Sequence, residues 1–91
     1  MSSTVARRVI YFGRVQGVGF RATVLSVAQN HQVAGYVRNL SDGTVELVAT
    51  GSVKAVEGLL MAVADRLSRY IVDTQVEEIT GEMSLKGFEI R

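Results

Sequence analysis

The stretch Val33-Ala34-Gly35-Tyr36-Val37-Arg38-Asn39-Leu40-Ser41-Asp42-Gly43-Thr44-Val45-Glu46-Leu47-Val48-Ala49 reads as strand, turn, strand. Val33 to Leu40 and Thr44 to Ala49 are rich in β-branched and aromatic residues. Between them Ser41-Asp42-Gly43 has the chemistry of a tight reversal, in which Asp bonds its own backbone and Gly accepts a positive φ. The segment is predicted to be a β-hairpin.

Outward from the hairpin, both flanks read as helix. Upstream, Phe20, Val24, Val27 and Ala28 recur at helical spacing, which predicts a helix from Phe20 to about Asn30. Downstream, Ser52 can cap a second helix in which Val53, Val56, Leu60, Val63 and Leu67 recur at steps of three and four. Gly58 inside that helix costs about 1 kcal/mol relative to alanine, so a packing reason is expected for it. One step further out, Arg7 to Val15 reads as a strand with Val9 and Tyr11 on one face and Ile10 and Phe12 on the other. Thr74 to Ile79 reads as another, and Phe88 with Ile90 as a last short one. Ser68 to Asp73 is open between a short strand and a buried loop. The order β-α-β-β-α-β with a terminal β predicts an α+β fold, the ferredoxin-like split β-α-β sandwich. It places two helices on one face of a mostly antiparallel sheet. That architecture hosts enzymes, metabolite sensors and RNA binders, so function has to come from the site.

Ninety-one residues make one domain, 1–91, with looseness expected only at residues 1–4. No apolar run approaches the roughly 20 residues that span a bilayer, and the N-terminus lacks the order of a signal peptide. The absence of cysteine excludes disulfides, a thiol nucleophile and zinc-thiolate chemistry. A cytoplasmic location is expected. The net charge of +1 hides an asymmetry: residues 1–41 hold five arginines and no acid, while 42–91 hold five bases against nine acids. A basic first half fits the handling of an anion. Arginine outnumbers lysine eight to two, which favours bidentate recognition of phosphate or carboxylate. Arg7 and Arg8 are expected to be solvated strand-edge residues.

The chemistry concentrates in Gly13-Arg14-Val15-Gln16-Gly17-Val18-Gly19-Phe20-Arg21, where a strand ends and a helix begins. Glycines there let backbone N–H groups of Gln16, Gly17, Val18, Gly19 and Phe20 turn onto a small concave site. The helix that follows adds its unpaired first-turn donors, and Arg21 can fold back over the same hollow. No Gly-Lys-Ser/Thr follows the glycines, so this is no nucleotide P-loop, and the dinucleotide spacing also fails. The residues alone establish a small-anion site. Asn39, beside the hairpin turn, either bonds its own backbone or orients a water through its amide. His31 reads as a surface or helix-end residue without a metal-ligand partner. Glu77 and Glu78 point to opposite strand faces and, with Glu82, are expected to be solvated. Ser41 has no base partner.

Gly13-x-Val15-Gln16-Gly17-Val18-x-Phe20-Arg21, then Gly35-Tyr36-Val37-x-Asn39, Asp42-Gly43 and the closing Gly87-Phe88-Glu89-Ile90-Arg91, resemble the acylphosphatase signature over nearly the whole chain. The resemblance implies a metal-independent, cofactor-free hydrolase that cleaves the carboxyl-phosphate anhydride of small acyl phosphates. It assigns phosphate to the Gln16 to Phe20 backbone and Arg21, and the attacking water to Asn39. A small-molecule acyl phosphate is then the expected partner, with inorganic phosphate as product; a monomer that binds neither nucleic acid nor membrane is expected. Two departures stand out: Ala22-Thr23 follows the arginine where the family has bulkier residues, and the chain has no proline.

Two rivals remain. The same cradle can bind an acyl or carbamoyl phosphate without turning it over. A nucleic-acid binder is disfavoured, because Val37, Glu46 and Val48 occupy the middle strands where stacking aromatics and a basic stripe are expected, and the pI is only 8.2.

Overall fold

The computed structural model describes residues 4–81 and 83–91. Within them the elements are β1 (Thr4–Gly13), α1 (Phe20–Ala28), β2 (Val33–Asn39), β3 (Val45–Ser52), α2 (Val53–Arg66), β4 (Ile71–Glu78) and β5 (Phe88–Ile90). The sheet order is β4-β1-β3-β2-β5. β3 runs antiparallel to both β1 and β2, β4 antiparallel to β1, and β5 parallel to β2. This is the split β-α-β sandwich that the element order predicts. Because β1 and β2 are each antiparallel to β3, they run the same way and end at the same end of the sheet. The loop after β1, the last residue of β2 and the C-terminal end of β5 therefore meet there.

The helices cover one face. Val9 and Tyr11 of β1, Val37 of β2, and Val45, Leu47 and Ala49 of β3 pack with Val24 and Val27 of α1 and Val56, Leu59 and Val63 of α2. Removing this apolar surface from water, at about 25 cal/mol per Å², is the main force that holds helices to sheet. The buried stripe is Val56, Leu59 and Val63 of α2, continued by Leu67 at its C-cap. The stripe expected from the sequence included Val53 and Leu60. Val56, Val63 and Leu67 are buried as expected, whereas Val53 in the first turn is exposed and Leu60 packs half-buried at the margin of the core, with Leu59 beside it taking the fully buried place. The Ser52 hydroxyl accepts from the Ala55 N–H at 3.0 Å, the expected cap. α1 stops at Ala28, before the expected Asn30, as Asn30 and His31 N–H groups switch to carbonyls three residues back.

Thr4 opens β1, opposite Ser52; residues 1–3 and Glu82 lie outside the described residues. Ser68 to Tyr70 form a turn and β4 begins at Ile71, so the open segment is half turn and half strand. Arg7 and Arg8 do not lie on an edge. β1 is flanked by β4 and β3, and Arg8 donates to Glu46 and to Glu77, while Arg7 donates to Glu57 of α2 at 3.3 Å. Their partners lie on neighbouring elements, a tertiary fact that no local pattern encodes. Glu77 and Glu78 are exposed on opposite faces, as expected, yet each pairs with an arginine of β1. Val37 belongs to the helix-covered face, whereas Glu46 and Val48 lie on the other, because alternate residues of β2 and β3 face opposite ways.

Candidate active site

At the shared end of β1, β2 and β5 lies a hollow of about 200 Å³, lined by Val15, Gly17, Gly19, Phe20, Arg21, Ala22, Asn39 and Ile90. Gly17 and Gly19 have φ of +79° and +76°, a left-handed conformation in which side chains are strained. A Cβ at either would meet nothing within 4 Å, so these glycines are required by backbone conformation and face open space. Gly19 is also the N-cap of α1 and supplies no side-chain cap. The first-turn N–H groups ahead of Thr23, whose own N–H reaches Gly19 O at 3.0 Å, are left at the hollow with the positive end of the helix dipole.

The loop is pinned at its start. The bulge at Gly13 brings β4 against β1 so closely that a Cβ on Gly13 would lie 2.4 Å from the Tyr70 carbonyl oxygen. Arg14 N–H donates to that same oxygen at 3.0 Å. At the other end Phe20 is buried against Tyr11, ring centroids 5.2 Å apart, which fixes the first residue of α1 in the core. Burial pushes the Tyr11 phenol up from its ordinary pKa, so it stays neutral across the physiological range.

Arg21 is the one charged residue that lines the hollow, and it has no acidic partner within ion-pairing distance among the described residues. Its charge is thus available to an anion. Asn39, last residue of β2 and opposite Val45, has an exposed side chain that makes no hydrogen bond to the protein among the described residues. The backbone-bonding alternative for Asn39 is not the one observed. Beside it Asp42 Oδ1 accepts from Thr44 N–H at 3.0 Å and from the Thr44 hydroxyl at 2.6 Å. These bonds from Thr44 hold the Asp42 carboxyl below its ordinary pKa and stiffen the turn.

Of the residues predicted from sequence, Gly17, Gly19, Phe20, Arg21 and Asn39 share the hollow; Gln16 and Val18 do not line it. Val18 packs against the core, and the Gln16 side chain crosses to the β2–β3 turn, donating from Nε2 to Leu40 O at 2.8 Å and Thr44 O at 2.9 Å. Sequence reasoning missed that Gln16 link, and it missed Val15 and Ile90 as walls; Ala22, singled out beside the arginine, does line the hollow. For Ile90 the register of β5 beside Val37 of β2 is what decides. Among the described residues no group of three His, Cys, Asp or Glu side chains is placed to hold a metal ion, and no helix is long and apolar enough to cross a membrane.

A family model described as Acylphosphatase matches residues 7–90. A curated acylphosphatase from Cupriavidus necator is 42% identical over 84 residues, covering 92% of this chain and 90% of that protein. The crystal structure of acylphosphatase from Bacillus subtilis is similar at a TM-score of 0.86 and 34% identity, covering 96% of this chain and 98% of its own. Full-length HypF, in its phosphate- and nucleotide-bound form, is similar to the whole of this chain over 12% of its own length, at a TM-score of 0.82 and 31% identity. Fold, motif and match over almost every residue agree, and the chain belongs to the acylphosphatase family.

Proposed function

We propose that this protein hydrolyses small acyl phosphates to a carboxylate and inorganic phosphate, with the phosphate held by the 16–20 loop and Arg21 and the water oriented by Asn39. The observation that carries the proposal is the single hollow lined by Gly17, Gly19, Arg21 and Asn39, with one free positive charge and one free amide. The leaving carboxylate is weakly basic, so no strong general acid is needed. What remains is to neutralise the phosphoryl oxygens and hold water in line. The Arg21 guanidinium and the N–H groups of the loop meet the first need, where charge is greatest in the transition state. Asn39 meets the second through its carbonyl oxygen, which accepts from the water, while its NH₂ donates to the substrate.

The water oxygen forms the new bond to phosphorus as the bond to the acyl oxygen breaks, and the carboxylate leaves with the electron pair. An amide is no base, so the water's proton passes to a phosphoryl oxygen or to solvent. The chemistry calls for neither metal nor cofactor, and one domain acting as a cytoplasmic monomer suffices.

Hydrolysis of benzoyl phosphate in the presence of EDTA, beside an alkyl phosphomonoester, tests the proposal. The first is turned over at an undiminished rate and the second is left essentially intact. Comparable turnover of both, or a rate restored only by magnesium, overturns the mechanism. Saturable phosphate binding without turnover makes the protein a binding module.

A further inference from the structure

Both N–H bonds of the Gln16 side-chain amide are spent on the turn that directly follows Asn39. Nε2 donates to Leu40 O at 2.8 Å and to Thr44 O at 2.9 Å. Since both partners are carbonyl oxygens, only the amide nitrogen can fill this position. The same two carbonyls close the hairpin: Thr44 O also accepts from Leu40 N–H at 2.9 Å, and Leu40 O from Gly43 N–H at 3.2 Å. Gln16 therefore occupies the remaining acceptor site on each. It ties the loop after β1 to a turn 24 and 28 residues away in sequence.

Asn39 needs such a tie. Its side chain has no hydrogen bond to the protein among the described residues, so only the backbone sets its aim. The next peptide is that of Leu40, whose carbonyl Gln16 holds. Beyond it Ser41, Asp42 and Gly43 are exposed, and an untethered turn of this kind moves on the ns–μs timescale.

We infer that Gln16 is a positioning residue, whose side chain locks the Asn39 turn to the anion loop and so holds the attacking water in line with phosphorus. This role rests on the proposed hydrolysis and on the water-orienting role of Asn39. Misplacing a reacting group by about 1 Å can cost on the order of 10² in rate, which is the scale of the effect at stake.

Gln16→Met keeps the length of the side chain and removes both donors. With benzoyl phosphate, kcat falls about 10- to 100-fold while the inhibition constant of inorganic phosphate stays within a few-fold of wild type. Placed on top of Asn39→Ala, the same change lowers kcat by no more than about twofold further, because there is no amide left to aim. A full multiplicative loss in the double variant, an unchanged kcat in the single one, or phosphate affinity lost in parallel with kcat each overturns the inference. The last of these would make Gln16 part of the cradle. Should the Met variant not fold, Gln16→Asn carries the same comparison, being one methylene too short to reach both carbonyls. Wild-type turnover by Asn39→Ala alone removes the water-orienting role and this inference with it, and that failure shows without any change at Gln16.

Discussion

Arg38 and Glu46 stand in register on β2 and β3, with Arg38 Nε donating to Glu46 Oε1 at 2.6 Å. Arg8 of β1 takes the other carboxylate oxygen. One glutamate thus staples three neighbouring strands on the face the helices leave open. Its side chain is only 2% exposed, against 36% for Arg8 and 47% for Arg38.

Burial by itself raises the Glu46 pKa, but hydrogen bonds from Arg38 and Arg8 outweigh it and leave the carboxyl below its ordinary value of 4.5. A group with a lowered folded pKa contributes stability that is complete above the unfolded value and lost as pH falls through the folded one. Glu46→Gln should therefore cost about 1–2 kcal/mol at pH 7, modest because both guanidiniums stay hydrated once released. The gap to wild type should narrow progressively as pH falls below 4.5. Denaturant titrations at pH 7 and at pH 3 check this; an equal gap at both shows that charge is not what the staple supplies.

Arg21 and Asn39 should separate by role. Arg21→Gln loses phosphate binding and turnover together, with a rate loss of at least about 10² to 10³, the usual effect of one donor to a developing oxyanion. Asn39→Ala lowers kcat by about 10² or more and leaves the phosphate inhibition constant within a few-fold of wild type. Circular dichroism and a melting curve on each variant come first. A folded Asn39→Ala that loses both properties in parallel assigns the amide to phosphate rather than to water.

Inorganic phosphate should stabilise the native state, because the cradle proposed for it, the 16–20 loop with Arg21 at the hollow, is assembled only in the folded chain. At ten times its Kd the gain is about 1.4 kcal/mol. The melting temperature should rise with phosphate but not with chloride of matched ionic strength, and the rise should vanish in Arg21→Gln. A rise that survives that substitution locates the anion elsewhere.

Gly58 lies where α2 passes His31, and a Cβ there would approach Cε1 and Nδ1 of the ring at 3.2 and 3.3 Å. Alanine gains about 1 kcal/mol in helix propensity and loses much of it to that contact. Gly58→Ala alone should fall within about 0.5 kcal/mol of wild type. In a His31→Ala background the same change should be more favourable by at least about 0.5 kcal/mol. Thermal melts of the four proteins measure the coupling, and a coupling of zero removes His31 as the reason for this glycine.

Much of the fold was legible along the chain. The hairpin around Asp42-Gly43, the Ser52 cap and the alternation of Val9, Ile10, Tyr11 and Phe12 are local signals, and each matches the structure. The second-helix stripe was legible at Val56, Val63 and Leu67, while the exposure of Val53 and the choice of Leu59 over Leu60 for the fully buried place depend on how α2 lies across β1 and β3. The arginines of β1 were misread because their partners, Glu46, Glu57 and Glu77, sit 38, 50 and 69 residues away.

The candidate site divides the same way. Sequence alone determined the residue types an anion site needs and their place in the chain: glycines free to take positive φ, an arginine one residue into a helix, and an amide beside a turn. Only the tertiary structure decided that these share one hollow. It did so because β3 lies antiparallel between β1 and β2, which brings their ends side by side and sets β5 against β2 so that Ile90 forms a wall. The Gln16 link could come from nowhere else. A glutamine in a loop has no preferred partner in sequence, and what selects Leu40 and Thr44 is two carbonyls brought within reach by the packing of the sheet.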